Sequence, residues 1–267
     1  MARQEVIDGI VIRVRDVGEH DRYLTVLTAE KGRVTLLAKG SHSIRGPQTA
    51  ISQLYTYANF EYYRRGDFKI LKGGSPIEPF YALSRDIDRL NLAAYLCDLT
   101  GELTDEGEEA GEMLRLLLNS LHALCRGNYP QEQIKGAFEL RSAALSGYEP
   151  DLTGCSKCGK TASDLFYLNV MDGALLCADC LSAGENKIPT GAYADELREA
   201  QILSRMPSAV LAAFRYCLHA PLERLLSFTL TDPEDLACFS HTAETYLLSH
   251  LGHGFESLRF YYSLREP

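Results

Sequence analysis

Three features of the 267-residue sequence predict an α+β protein: an N-terminal five-stranded β-barrel, then an α-helical domain with an inserted four-cysteine zinc ribbon. Apolar residues alternate with period two through roughly the first seventy positions, as half-buried strands require. After Gly73-Gly74-Ser75-Pro76 the apolar spacing changes to three and four, as amphipathic helices require. Cys155, Cys158, Cys177 and Cys180 form two Cys-x-x-Cys pairs separated by eighteen residues, the spacing of a tetrahedral zinc site closed by two knuckles.

The first strand is expected over residues 6–15, with Ile10, Ile12 and Val14 on one face and Val11, Arg13 and Arg15 on the other. A second, residues 23–28, turns at Lys31-Gly32 into a third, 33–39, which points Val34, Leu36 and Ala38 inward and Arg33, Thr35 and Lys39 outward. After a loop at 40–50, an aromatic-rich fourth strand over 53–63 turns at Arg64-Arg65-Gly66-Asp67 into a fifth, 68–72. Five short antiparallel strands in so few residues fit a small closed barrel of the OB type. The break at 73–79 places the boundary between a barrel domain, 1–78, and a helical domain, 79–267.

Beyond the break, Ser84 is expected to cap a helix carrying Ile87, Leu90, Ala94 and Leu99. Met113, Leu117, Ser120, Leu121 and Leu124 make a second stripe. Pro130 opens a third helix, with Ile134, Ala137, Phe138, Ala144 and Leu145 at helical spacing, and Gly147 stops it. The ribbon, at about 150–184, then interrupts. Within it, 166–170 and 174–176 read as a hairpin joined through Asp172-Gly173, and Gly159 after the first pair can take a positive φ. Helices resume near Gly191, at 207–219, at 222–228 and at 232–250.

Four thiolates fill a zinc ion's coordination shell, so this ion holds a fold together and leaves no position for water or substrate. The N-terminus has no apolar stretch of the kind that directs secretion, and thiols of the cytosol stay reduced, so metal is preferred to disulfides. Cys97, Cys125, Cys217 and Cys238 lie singly in apolar helical patterns and are expected to pack as small hydrophobes. With no run of eighteen apolar residues, the protein is expected to be cytoplasmic, without a membrane partner.

A formal charge of −9 argues against nucleic acid, but the average hides an asymmetry. Residues 1–80 hold 12 Lys and Arg against 9 Asp and Glu, a net of +3; residues 81–267 hold 15 against 27, a net of −12. Between 31 and 72 there are 8 basic residues against Glu61 and Asp67, a local +6 that a nearby phosphate feels more than the distant acids. Arg13, Arg15, Arg33, Lys39, Arg45, Arg64 and Arg65 are the candidate nucleic-acid-binding set, being outward, in turns or in loops of adjacent strands. Tyr55, Tyr57, Phe60, Tyr62, Tyr63 and Phe68 are candidate stacking aromatics, although alternation commits Phe60 and Tyr62 to one face and about half of the set to the core. The acidic stretch from Asp105 to Glu109 is expected to feed the first turn of a helix, and Phe260-Tyr261-Tyr262 to dock into core.

Enzyme signatures are absent. Gly40 and Gly46 are followed by Pro47 and not by Lys-Ser or Lys-Thr, so no phosphate-cradling loop forms, and neither dinucleotide-binding nor hydrolase motifs occur. His250 and His253, beside two glycines, read as a helix-end feature.

The order of these parts resembles the RecO family of bacterial DNA-repair proteins. The resemblance rests on Asp21-Arg22-Tyr23-Leu24-Thr25-Val26-Leu27-Thr28, on Gly32, on Ala38-Lys39-Gly40 and on the four-cysteine ribbon within a helical domain. It implies an OB-fold DNA-binding domain, structural zinc and no catalytic residue. It also implies binding of single- and double-stranded DNA, annealing of complementary strands, contacts with RecR and the C-terminal tail of single-strand-binding protein, and indirect help to RecA, all in the cytoplasm at the nucleoid. After Ala38-Lys39-Gly40 the family often carries several basic residues; here Ser41-His42-Ser43-Ile44-Arg45 offers one arginine, which implies weaker direct DNA affinity. An OB-and-ribbon protein of translation or transcription that binds RNA is the alternative.

Overall fold

The structure is a computed structural model that describes residues 4–41, 48–185 and 202–265. These fall into two compact units, one within 1–128 and 255–267, the other within 129–254.

In the first unit, β1 (Gln4–Val17), β2 (Asp21–Thr28), β3 (Gly32–Ala38), β4 (Tyr57–Arg65) and β5 (Phe68–Glu78) close a barrel in the order β1-β2-β3-β5-β4. Its interior holds Val11, Leu24, Val26, Val34, Leu36, Phe60, Tyr62 and Leu71. All neighbours are antiparallel except β3 and β5, which close the barrel in parallel through Leu37 and Ile70.

The strand alternation expected for β1 fails at one point. A register shift between Val11 and Arg13 leaves Ile12 as an extra residue, so Val11 pairs with inward Val26 and Val14 with inward Leu24. Ile10 and Ile12 are buried on the outer face instead, where an added Cβ at Gly101 would stand 3.6 Å from Ile12 Cδ1. Arg13 and Arg15 stay outside. The predicted break at 73–79 is also absent, because β5 runs on to Glu78. A Cβ at Gly74 would lie 2.0 Å from the carbonyl oxygen of Asn59, so glycine lets β5 and β4 approach where their register shifts. Residues 53–56, expected in β4, form turns.

α1 (Ile87–Leu103) is capped by Asp86, whose carboxylate accepts from the backbone N–H of Asp88 and Arg89, and not by Ser84. α2 (Gly111–Arg126) buries the predicted stripe. The acidic segment does not feed its first turn. It pairs with the β2–β3 turn: Arg33 N–H donates to the Asp105 carbonyl at 3.1 Å, Gly107 N–H to Lys31 at 2.9 Å and Ala110 N–H to Ala29 at 2.8 Å. The last helix of the chain, Glu256–Ser263, packs on α1 through Leu258 and Tyr261, whereas Phe260 and Tyr262 are exposed.

The second unit packs α3 (Gln131–Leu145) against a long helix, Pro233–Leu251, with Ser208–His219 alongside. Its sheet, order β6-β8-β7-β9, comprises β6 (Asp151–Cys155), β7 (Leu165–Asn169), β8 (Ala174–Cys177) and the unpredicted β9 (Leu203–Pro207). α4 (Ala178–Glu185) follows β8, so Ser208–His219 is α5, Pro233–Leu251 α6 and Glu256–Ser263 α7. The helix expected at 222–228 is a short turn, Leu222–Arg224, and the one expected near Gly191 lies outside the described residues. No described helix is long and apolar enough to cross a membrane.

Candidate metal centre and nucleic-acid interface

The four ribbon cysteines converge. β6 delivers Cys155, the turn after it Cys158, the end of β8 Cys177 and the first turn of α4 Cys180. Their sulfurs all lie within 4.8 Å of one another, Cys158 Sγ and Cys177 Sγ 3.7 Å apart. Metal–sulfur bonds of about 2.3 Å in a tetrahedron set sulfurs about 3.8 Å apart, so the cluster fits one ion. Gly159, φ 74°, closes the first knuckle by donating its N–H to Cys155 O at 2.8 Å, and Cys177 N–H points at Cys155 Sγ at 3.3 Å. Burial opposes charge on Cys155, but N–H groups of Cys177, Cys158 and Lys157 outweigh it and bring the thiol down to about 6. Cys180, donating to Cys158 and Cys177, is pushed up to about 12. Four neighbouring thiols cannot all ionise without a cation between them, which is the chemistry of a metal site. Among the described residues this is the one group of three or more ligand-type side chains so placed. Cys97 and Cys217 are buried, and burial raises both thiols.

The basic set divides. Arg13 pairs with Thr25 and Thr25 with Thr35; Arg15 pairs with Tyr23 and Tyr23 with Leu37; Arg33 lies two residues before Thr35 and Lys39 two beyond Leu37. Arg13, Arg15, Arg33 and Lys39 therefore share the outer face of β1–β2–β3. Two of these are tied to acids: Arg13 Nη2 to Asp98 Oδ1 of α1 and Arg33 Nη2 to Asp105 Oδ1, both at 3.3 Å. Arg15 rests over the Tyr23 ring, 5.3 Å from its centre, and Lys39 is exposed just past β3.

Arg64 and Arg65 stand at the opposite end of the barrel. There Glu5 Oε2 accepts from Lys31 Nζ and Tyr62 OH, each at 2.7 Å, and Oε1 accepts from Arg64 Nε at 3.0 Å. Lys31, then Tyr62 and Arg64, hold the Glu5 carboxyl down at about 2. Lys69 is bound to Glu106 nearby. Arg64 is thus tied to Glu5, while Arg65 is exposed at the end of β4. Arg45 lies outside the described residues.

Phe60 and Tyr62 share one face, as alternation requires, and that face is the core; Tyr55 is buried and Phe68 exposed. Sequence reasoning missed Tyr23, whose only signal was its place opposite Arg15. It also missed Asp98, Asp105 and Glu106, the acids that meet the basic strands. In the second unit a pocket of about 470 Å³ is lined by Pro150, Leu152 and Leu218, with Glu149, Asp151 and Arg215 around it.

A family model described as Recombination protein O N terminal matches residues 1–80, and one described as Recombination protein O C terminal matches 84–193. DNA repair protein RecO of Acetivibrio thermocellus is 31% identical over 226 residues, covering 84% of this chain and 83% of its own. The RecO of Halalkalibacterium halodurans is 27% identical over 253 residues, 95% and 92% of the two chains, and that of Alkaliphilus metalliredigens 33% over 173 residues, 65% and 70%.

Proposed function

The chain belongs to the RecO family of DNA repair proteins, and from that premise we propose that it is a non-enzymatic recombination mediator whose barrel, residues 1–78, is a DNA-binding domain. The carrying observation is that Arg13, Arg15, Arg33 and Lys39 share one outer face of adjacent barrel strands. Such a face binds backbone phosphates and leaves bases free, so two held strands find their complements without nucleotide hydrolysis. Tyr23 supports this reading, since an aromatic under an arginine offers a base a stacking surface. Arg65 extends the set from the far end, and Arg64 serves the barrel.

The ion of the ribbon is zinc, one per chain, held by Cys155, Cys158, Cys177 and Cys180; four thiolates suit it and leave it no open position. In the cell the protein works in the cytoplasm at the nucleoid, binds single- and double-stranded DNA, and with RecR helps RecA onto strands coated by single-strand-binding protein. The acidic tail of that protein requires an apolar pocket with a basic rim. The pocket beside Leu152 and Leu218 sets Glu149 and Asp151 against Arg215, which is already committed to the carbonyls of Leu152 and Thr153, so its charge opposes such a tail.

The test mixes complementary strands, bare or coated with the cognate single-strand-binding protein, without nucleotide, and follows duplex formation by fluorescence. Annealing is expected, reduced by Arg15→Gln with Lys39→Gln. No annealing on either form, with metal content intact, overturns the mediator reading, and tighter binding to RNA than to DNA of the same sequence moves the function to RNA.

A further inference from the structure

The outer face of β1–β3 contains a defined pocket of about 210 Å³, lined by Arg13, Arg33, Thr25 and Thr35, with Gly101 of α1 and Glu106 beside them. Two guanidinium groups and two hydroxyl-bearing side chains facing one small space form a donor set for a tetrahedral oxyanion. Arg33 Nε is withdrawn from solvent and has no hydrogen-bond acceptor among the described residues. A buried N–H without an acceptor is costly, and an anion in this pocket relieves it. The carboxylates that occupy the two arginines do so poorly. Each bond is single-pronged and long, 3.3 Å, where a two-pronged arginine–carboxylate pair would run near 2.8 Å. Asp105 is 75% exposed and Arg13 63%, so solvent screens both pairs.

We propose that this pocket receives one phosphate group of a nucleic-acid backbone, and that Asp98 and Asp105 are internal competitors which the phosphate displaces. The inference rests on the DNA-binding reading of the barrel and adds a site and a brake to it. The segment carrying Asp105 is placed for the role. Its backbone is fastened to the β2–β3 turn by the bonds from Arg33, Gly107 and Ala110, and a Cβ at Gly32 would lie 2.0 Å from the Asp105 carbonyl oxygen, so only glycine admits it so closely. The carboxylate is therefore held beside Arg33 while its side chain stays free to swing away. Resting affinity is kept low, and whatever draws Asp98 or Asp105 off releases it.

The experiment measures binding of the full chain to single-stranded DNA by fluorescence anisotropy across a salt series. Asp98→Asn with Asp105→Asn is expected to tighten binding roughly three- to tenfold at low salt. Arg13→Gln with Arg33→Gln weakens binding and lowers the salt slope, and in that background the two Asn substitutions give no gain beyond that of Glu19→Gln, a remote exposed carboxylate. An equal gain with and without the arginines reduces the effect to bulk charge and overturns the proposal, as does no gain in the wild-type background. The Asn variants preserve shape, so they decide the matter even if the arginine pair fails to fold. Failure of both wild-type and Asn variants to bind nucleic acid sinks the DNA-binding reading itself; wild-type binding without a gain sinks only the brake.

Discussion

Glu5 accepts three donors from residues 26, 57 and 59 positions away in sequence, Lys31, Tyr62 and Arg64. Its carboxyl stands at about 2 against an ordinary 4.5, so the stability it contributes is present above 4.5 and is lost as pH falls toward 2. Glu5→Gln is expected to cost about 1–2 kcal/mol at pH 7 after allowing for solvent screening, with the difference from wild type closing between pH 5 and pH 2 in urea melts. A constant difference across that range would mean that packing, not charge, is what the side chain supplies. None of this was legible in the sequence, where Glu5 is one acid ahead of the first expected strand and Arg64 looks like a free phosphate ligand. What alternation did fix is direction: Phe60 and Tyr62 had to share one face, which the structure turns to the core, and Arg33 and Lys39 had to face out. It could not show Ile12, because an extra residue in β1 reverses parity and no local residue type marks it.

Helices and strands were read wherever their own residues carried the period, which covers α2, α3, α5, α6 and most of the barrel; α1 was found, but of its expected stripe only Leu99 is buried and Ile87 is exposed. β9, with Ser204, Arg205 and Pro207 in five residues, has no alternation and exists because β7 offers it an edge. The ribbon was legible because metal spacing is a local constraint, and it makes its own prediction. Chelation should strip one ion per chain, release four reactive thiols and speed hydrogen exchange at Ser156, Gly159 and Cys177, whose N–H groups depend on the knuckles. Protection that survives chelation would show that the sheet holds the knuckles unaided. The join of α3 and α6 is less forgiving. Lys135, 1% exposed, holds Glu139 at 3.0 Å and Glu244 at 2.5 Å. Lys135→Met would leave carboxylates crowded in a low-dielectric site, and a loss of about 3–5 kcal/mol is expected at pH 7.

At the scale of the whole molecule, the proposed function asks a protein of net charge −9 to hold a polyanion, and the answer lies in how the charges are paired. The window from 31 to 72 carries a local +6, yet Lys31 and Arg64 share Glu5, Arg33 meets Asp105 and Lys69 meets Glu106. All four contacts use acids outside the window, and two come from the segment between α1 and α2. A count along the chain therefore overstates the charge that DNA meets. Arg15, Lys39 and Arg65 have no carboxylate partner among the described residues, so they should carry most of the resting electrostatic binding. Each cation that neutralises a phosphate on a single strand contributes about 0.7 to the slope of log affinity against log salt. Arg15→Gln with Lys39→Gln should then flatten that slope by about 1.4, and Arg13→Gln with Arg33→Gln by less, since a phosphate that displaces Asp98 and Asp105 exchanges one anion for another. With both aspartates replaced by asparagine, the arginine pair becomes free and its loss should approach that of the first pair. Equal slopes for the two pairs in the wild-type background would show that the acidic segment stands aside before DNA arrives, and that pairing in the free protein does not govern its affinity.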